Sequence, residues 1–451
     1  MEIKNLAKKI LITALAGIVC LPVAAEELDF KEFVSAAFEN SYNMKLAKIE
    51  RSIASKGIKE AQSGYYPTLN AFATTERYND LTHGQAQITA VGNEILLNRN
   101  YYQDMASVGL TYNVFDFGIR RKGLEIAKAD EKQKELLLMK TSRDLRLDTV
   151  DIYGETLNLY KIVKIKTETL DLQNELIAIN KRLRGAGELS EIDLVESEIS
   201  AVETKSELDK TKNHLAKILT EVSYYTNRSY NPEDLTVSDF PSSTEDVLSD
   251  GVLYLSAEIL DFVPENSFEA QAADLEILKK KKDYEMQKKA NFPKVRFDTR
   301  YNFYGSDTSN FFYGIEDISQ RSLTIRLSAS MVLFDGFKNS SAVSKKKFEI
   351  EKAKVEKERQ LAELKKKYEQ IILDAKNSKI QYENNILALE LVNKNLENLR
   401  RLKQSGLVSQ AECIQKQIAL LRKKQELEES QIKIYTACYK LKVLQATKGE
   451  L

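Results

Sequence analysis

The chain has 451 residues, 30% of them charged, and its 67 basic and 67 acidic side chains leave no net charge. That balance provides no electrostatic footprint for nucleic acid and no general pull toward an anionic surface. The length admits two or three ordinary domains or one elongated helical repeat. The two histidines, His83 and His214, have no nucleophile, phosphate-binding or metal-ligating motif around them, so neither catalytic residues nor a cofactor or metal is expected.

At the N-terminus, Lys4, Lys8 and Lys9 precede an apolar run from Ile10 to Val19 and a Val23-Ala24-Ala25 ending. This is the order of a secretory signal peptide, assigned to residues 1–25, and the run is shorter than the ~20 residues of a spanning helix. Cys20 leaves a lipoprotein signal open, although Val19 is poorly suited to precede a lipidated cysteine. The other cysteines, Cys413 and Cys438, fall on one predicted helix, ~37 Å apart by helical rise, and do not pair within a chain. An exported chain without disulfides takes its stability from long helical packing or a membrane-embedded sheet.

A short helix is predicted over about 29–63, ending before YYPTLNAF, and strands over about 67–78 and 104–116 follow. In the second strand Val108, Leu110, Tyr112 and Val114 alternate with Gly109, Thr111 and Asn113. No proline occurs between Pro67 and Pro232, which permits very long helices, and a helical hairpin is predicted over 118–227. Leu172, Leu176, Ile179 and Leu183 step as a coiled-coil seam. Gly185 and Gly187 break the first limb and Ser190 caps the second, whose seam is assigned to Val195, Ile199, Val202, Leu208, Leu215, Leu219 and Val222. The first limb, from Gly118 to Arg184, would measure ~100 Å, more than a globular domain houses. Residues 228–264 form a linker rich in Pro, Ser, Asp and Glu.

From residue 265 the order repeats: a helix over about 266–290, strands over about 293–304 and 321–334, and a hairpin over 337–446. Val295, Phe297, Thr299, Tyr301 and Phe303 alternate with Arg296, Asp298, Arg300 and Asn302; Leu323, Ile325 and Leu327 alternate with Thr324, Arg326 and Ser328. The seams are Leu361, Leu364, Tyr368, Ile371 and Ala375, then Leu420, Leu427, Ile434 and Leu441. Aligning Phe115 of VFDFG with Phe334 of LFDGF sets an offset of 219 residues, which also superimposes RLRGAGELS (182–190) on RLKQSGLVS (401–409) without a gap. The chain is an internal duplication, with repeats at 26–227 and 265–451.

Such alternation also suits a sheet on a soluble core. Here the chain is exported, no other segment offers a covering face, and aromatics gather at both strand ends: Tyr65, Tyr66, Phe115, Phe117, Phe334 and Phe337 at one, Tyr101, Tyr102, Phe311, Phe312 and Tyr313 at the other. Runs of ~10 residues with one apolar face fit tilted strands crossing a bilayer. Four strands do not close a barrel, so this reading demands an oligomer. The polar residues Arg296, Asp298, Arg300 and Arg326 then face the lumen, where the arginines favour some rejection of cations.

VFDFGIRRKGLEIAKA and VLFDGFKNSSAVSKKKFE, with RGAGELSEIDLVESE and QSGLVSQAECIQKQ, resemble the strand-to-helix and helical-tip signatures of the TolC-type outer-membrane efflux protein family, over nearly the whole mature chain. The resemblance implies an α+β membrane protein. Three identical chains would each give four strands to a 12-stranded barrel in outer-membrane lipid and helical hairpins to a periplasmic tunnel, with 228–264 in an equatorial collar. It implies the exit duct of a tripartite efflux or type I secretion system, docking on a periplasmic adaptor, or membrane fusion protein, of an inner-membrane pump of RND or ABC type. The docking tips would be Gly185, Gly187, Leu189 and Ser190, with Gly406, Leu407 and Ser409. At the gate, Asp193 and Glu412 match the family's aspartate position after each tip. Gln415 stands at its second carboxylate, and Lys403 and Val408 where its closed gate has a tyrosine and an arginine, which makes Lys403 a candidate partner for Asp193. Asp193 and Glu412 also read as solvated first-turn acids favoured by the helix dipole. The alternative function is an exported coiled-coil structural protein or adhesin, which explains the heptads but not bilayer-length strands or glycine tips at matched positions.

Overall fold

A computed structural model describes residues 26–79, 87–90, 93–96, 101–241, 264–307, 316 and 320–445. The signal segment 1–25, most of the linker and the aromatics at 311–313 lie outside them. The elements are β1 (Glu26–Leu28), α1 (Phe30–Asn40), α2 (Tyr42–Ser63), β2 (Thr68–Tyr78), β3 (Gln87–Ala90), β4 (Asn93–Leu96), β5 (Tyr101–Phe115), α3 (Ile119–Gly185) and α4 (Glu191–Thr226), then β6 (Leu235–Val237), α5 (Phe268–Lys288), β7 (Lys294–Asp307), β8 (Gln320–Ser330), α6 (Lys338–Gln404) and α7 (Gln410–Gln445). The offset of 219 carries the ends of α3 onto those of α6, at 67 residues each, and the ends of α4 onto those of α7, at 36 residues each. Among the described residues no helix is long and apolar enough to cross a membrane.

The chain divides into two compact units: one holds the residues up to Ala47, Leu138–Asn266 and those from Leu361 on, the other Lys48–Leu137 and Ser267–Gln360. In the second unit, four antiparallel strands lie in the order β2-β5-β7-β8. The rows run straight across. Leu69, Leu110, Thr299 and Ile325 share one face, and the adjoining row of Thr68, Thr111, Asp298 and Arg326 the other. The strand expected over about 321–334 stops at Ser330, because Lys294, the first residue of β7, is its last partner. The hairpin β3-β4 is a further pair that the sequence did not announce.

In the first unit, α3 meets α4 through Gln173 Nε2 donating to Ser200 Oγ (3.1 Å) and Lys181 pairing with Glu198 (3.0 Å). α7 lies against α3, where Leu176 packs with Ile414 and Ile418, and against α6, where Tyr368, Ile371 and Ala375 pack with Ala437 and Leu441. A second core gathers round Tyr153, fully buried between Phe30 and Phe240. Its hydroxyl donates to Ser238 O at 2.7 Å and also lies near Leu28 O, tying the parallel pair β1-β6 to α3; burial pushes its pKa far up. The predicted helix 29–63 is two helices, because Ser41 leaves the helical region and its hydroxyl accepts from Met44 N.

One seam is corrected. On α4 the side chains buried in the chain are Leu194, Ala201, Thr204, Leu208, Leu215, Ile218, Leu219, Val222 and Thr226. Val195, Ile199 and Val202, assigned to that seam, are exposed at 44%, 52% and 67% and form a second stripe with Ile192. The helix carries two apolar stripes, and periodicity does not say which one faces the chain's own partner.

Candidate gate, docking tips and channel lining

The two hairpin tips are built alike. Gly187 and Gly406 take φ of +78° and +72°, the left-handed C′ position that ends a helix most easily with glycine. The residue after each closes a Schellman bond, Glu188 N to Leu183 O and Leu407 N to Leu402 O, at 2.9 and 3.0 Å. Ser190 and Ser409 then cap the return helices, accepting from Asp193 N and Glu412 N at 3.1 and 3.2 Å. Gly185 is the last residue of α3; Leu189 is half-buried, whereas Leu407 and Ser409 are exposed.

Asp193 and Glu412 occupy the third position of their helices and are exposed. Ser190 Oγ also donates to the Asp193 carboxylate at 2.8 Å, so cap and acid hold each other. Among the described residues no ion pair joins Lys403 to Asp193 within the chain, where the carboxylate meets Ser190. At the position that the offset matches to Lys403, Arg184 pairs with Glu191 at 3.2 Å. Lys403 and Gln415 are exposed on α6 and α7.

The repeated Phe-Asp motif is a second built feature. Asp116 Oδ2 accepts from Arg120 N at 3.0 Å and pairs with Arg120 Nε at 2.9 Å. Asp335 accepts from Asn339 N at 2.9 Å, the same position under the offset, and from Asn291 Nδ2 at 3.0 Å. Each aspartate therefore caps a 67-residue helix. Between aspartate and helix stand two left-handed residues, Phe117 and Gly118 or Gly336 and Phe337, so one glycine suffices in either order. Arg120 also donates to Gly64 O and lies over the Tyr65 and Tyr112 rings, a role that sequence reasoning missed.

On the sheet, Arg296, Asp298, Arg300 and Arg326 share one face. Asp298 stands opposite Arg326 and accepts from Thr111 Oγ1 at 3.1 Å. The other face leaves Leu69 on β2 and Leu323, Ile325 and Leu327 on β8 exposed at 73%, 62%, 67% and 70%, apolar surface that water does not favour.

The model of the outer membrane efflux protein family matches residues 33–227 and 261–445. The chain belongs to that family. The match falls in two segments, one per repeat, and makes the protein an outer-membrane efflux channel with a large periplasmic portion. Solved structures share the fold. The outer membrane protein VceC of Vibrio cholerae superposes with a TM-score of 0.71 at 12% identity, over 92% of this chain and 95% of its own. The CmeC outer membrane channel of Campylobacter jejuni gives 0.70 at 14%, over 92% and 85%. CusC, described as forming a transmembrane channel, gives 0.69 at 15%, over 93% and 92%. No curated protein matches the chain.

Proposed function

We propose that this chain assembles as a homotrimer into the outer-membrane exit duct of a tripartite efflux or type I secretion system, and that it is a conduit with no enzymatic step. The observation that carries the reading is the sheet with two unpaired edges. Among the described residues β2 pairs only with β5, and β8 only with β7, and unpaired backbone groups in hydrocarbon cost several kcal/mol each. Pairing β8 of one chain with β2 of the next removes both edges, and three copies reach the twelve strands of the barrel. The polar row of Arg296, Asp298, Arg300 and Arg326 then lines the lumen. The exposed stripe of α4 and the heptad-spaced Leu373, Ile380 and Leu387 of α6, exposed at 58%, 56% and 60%, are the helical surfaces such a ring would cover.

The tips at Gly187 and Gly406 are the docking points for a periplasmic adaptor, and Asp193 with Glu412 forms the acidic gate, six carboxylates in three chains. The test is affinity purification of the tagged duct from cross-linked membranes. An adaptor and an inner-membrane pump should accompany it, and their sequences name the pump class, RND or ABC. Recovery of the assembled duct with no adaptor under conditions of active export would overturn the reading.

A further inference from the structure

The registers bring four strand ends to one end of the sheet: the start of β2, the end of β5, the start of β7 and the end of β8. Every long helix of that unit meets the sheet there. Two kinds of side chain are left over at this level. Leu333, Phe334, Phe337 and Tyr66 are exposed at 86%, 73%, 71% and 70%, more than their mutual packing uses; Phe334 meets Phe337 edge-on at 5.6 Å between centroids.

The second kind is positive charge. Arg121 is 70% exposed and reaches Glu125 only at 3.6 Å. Lys288, Lys294 and Lys338 are exposed, and none of them forms an ion pair among the described residues, although Lys288 lies over the Tyr284 ring. Four nearby carboxylates are engaged within the chain: Asp116 with Arg120, Asp335 with Asn291 and the start of α6, Glu285 with Lys122, and Glu125 with Lys282 and Arg121. A chain whose total charge is zero thus gathers exposed cations where strands meet helices, near its exposed aromatic side chains: Arg121 and Lys338 at helix starts, Lys288 at a helix end and Lys294 at the start of β7.

We propose that this region is a binding collar for anionic phospholipid of the periplasmic leaflet. Cations alone would take any soluble anion, and an aromatic rim alone would sit in any interface. Together they match one ligand chemistry, a phosphate headgroup bearing net negative charge with acyl chains on the barrel side. A zwitterionic headgroup would bring its own cation and leave Lys288, Lys294 and Lys338 without counter-charge. Juxtamembrane cations each strengthen binding to an anionic surface about fivefold, so one chain's four should select strongly against a neutral background. The inference rests on the sheet being embedded as the duct reading has it.

The test uses the full-length assembled protein, reconstituted in vesicles of phosphatidylcholine with a minority of phosphatidylglycerol, re-extracted in mild detergent, and analysed for retained lipid by mass spectrometry. Phosphatidylglycerol should be enriched at least about fivefold over its bulk share. The enrichment should vanish in the R121Q/K288Q/K294Q/K338Q variant and, for the unmodified protein, in about 1 M salt, where surface charges are screened. Soluble glycerophosphate in excess should not displace the lipid. Bulk composition in the unmodified protein, enrichment retained by the variant, or displacement by glycerophosphate each overturns the collar. Single-channel conductance in a purely zwitterionic bilayer separates this from the duct reading: protein and variant should both conduct. Absence of conductance in both, with selective lipid retention intact, would fault the duct and not the collar.

Discussion

Valine at Gly187 or Gly406 places a β-branched residue at a φ above +70°. At either site no heavy atom lies within 4 Å of where the Cβ would stand, so there is no clash and the penalty is confined to the backbone, about 1–2 kcal/mol for an L-residue in the left-handed region. The sites lie on separate hairpins, so the double variant loses about 2–4 kcal/mol by addition. Burial of a single seam leucine such as Leu176, 6% exposed, contributes about 2 kcal/mol, and each hairpin holds many such residues. The strain is therefore relieved locally, by opening the Schellman bonds at Glu188 and Leu407, and not by unfolding. G187V/G406V should extract as the same oligomer with the same heat resistance, yet lose capture of the adaptor. Asparagine, which tolerates left-handed φ, should retain most of it. Normal capture by the double valine variant would remove the tips from the docking site; loss of the oligomer would refute the claim that the strain is local.

D193A/E412A should weaken block of single-channel current by divalent cations, since six carboxylates leave the three-chain ring; unchanged block would leave both residues as helix caps only. D116A should destabilise the detergent-solubilised protein by about 2 kcal/mol, because it removes a cap and the carboxylate partner of a partly buried Arg120, which keeps only Gly64 O, Val114 O and two rings, and D335A should lose less in the same thermal melt. Burial first, and then Asp144, push the Asp148 carboxyl above its usual range. Its charged form is thus disfavoured in the folded state above that raised pKa, and the penalty fades as pH falls toward the unfolded value. D148N should therefore melt slightly higher at pH 7–8, by less than about 0.5 kcal/mol for so exposed a group, with the gain disappearing near pH 4. A gain that persisted at acid pH would contradict the assignment.

The duplication was readable because its two copies kept spacing as well as residues: one offset fixes Phe115 on Phe334, Gly187 on Gly406 and, in the structure, the ends of four helices. Alternation marked the apolar and polar faces of β5, β7 and β8, since a period of two is a geometric property of the strand. The exposed stripe of α4 was visible as an apolar pattern but misassigned, because Val195 and Leu194 lie on adjacent rows and only packing decides between them. β1 and β6 are three residues each, too short for any period, and are held by Tyr153 from a distant helix. Asp193 was read through a gate; its local partner, Ser190, follows from the capping geometry of Ser-x-x-Asp, which the sequence also contains.

The account depends most on ring closure through the free edges of β2 and β8. The number of polypeptide copies in the detergent-extracted particle, counted by native mass spectrometry, tests this directly. Three copies of one chain are predicted, stable under dilution in mild detergent; a monodisperse monomer with intact secondary structure would contradict it.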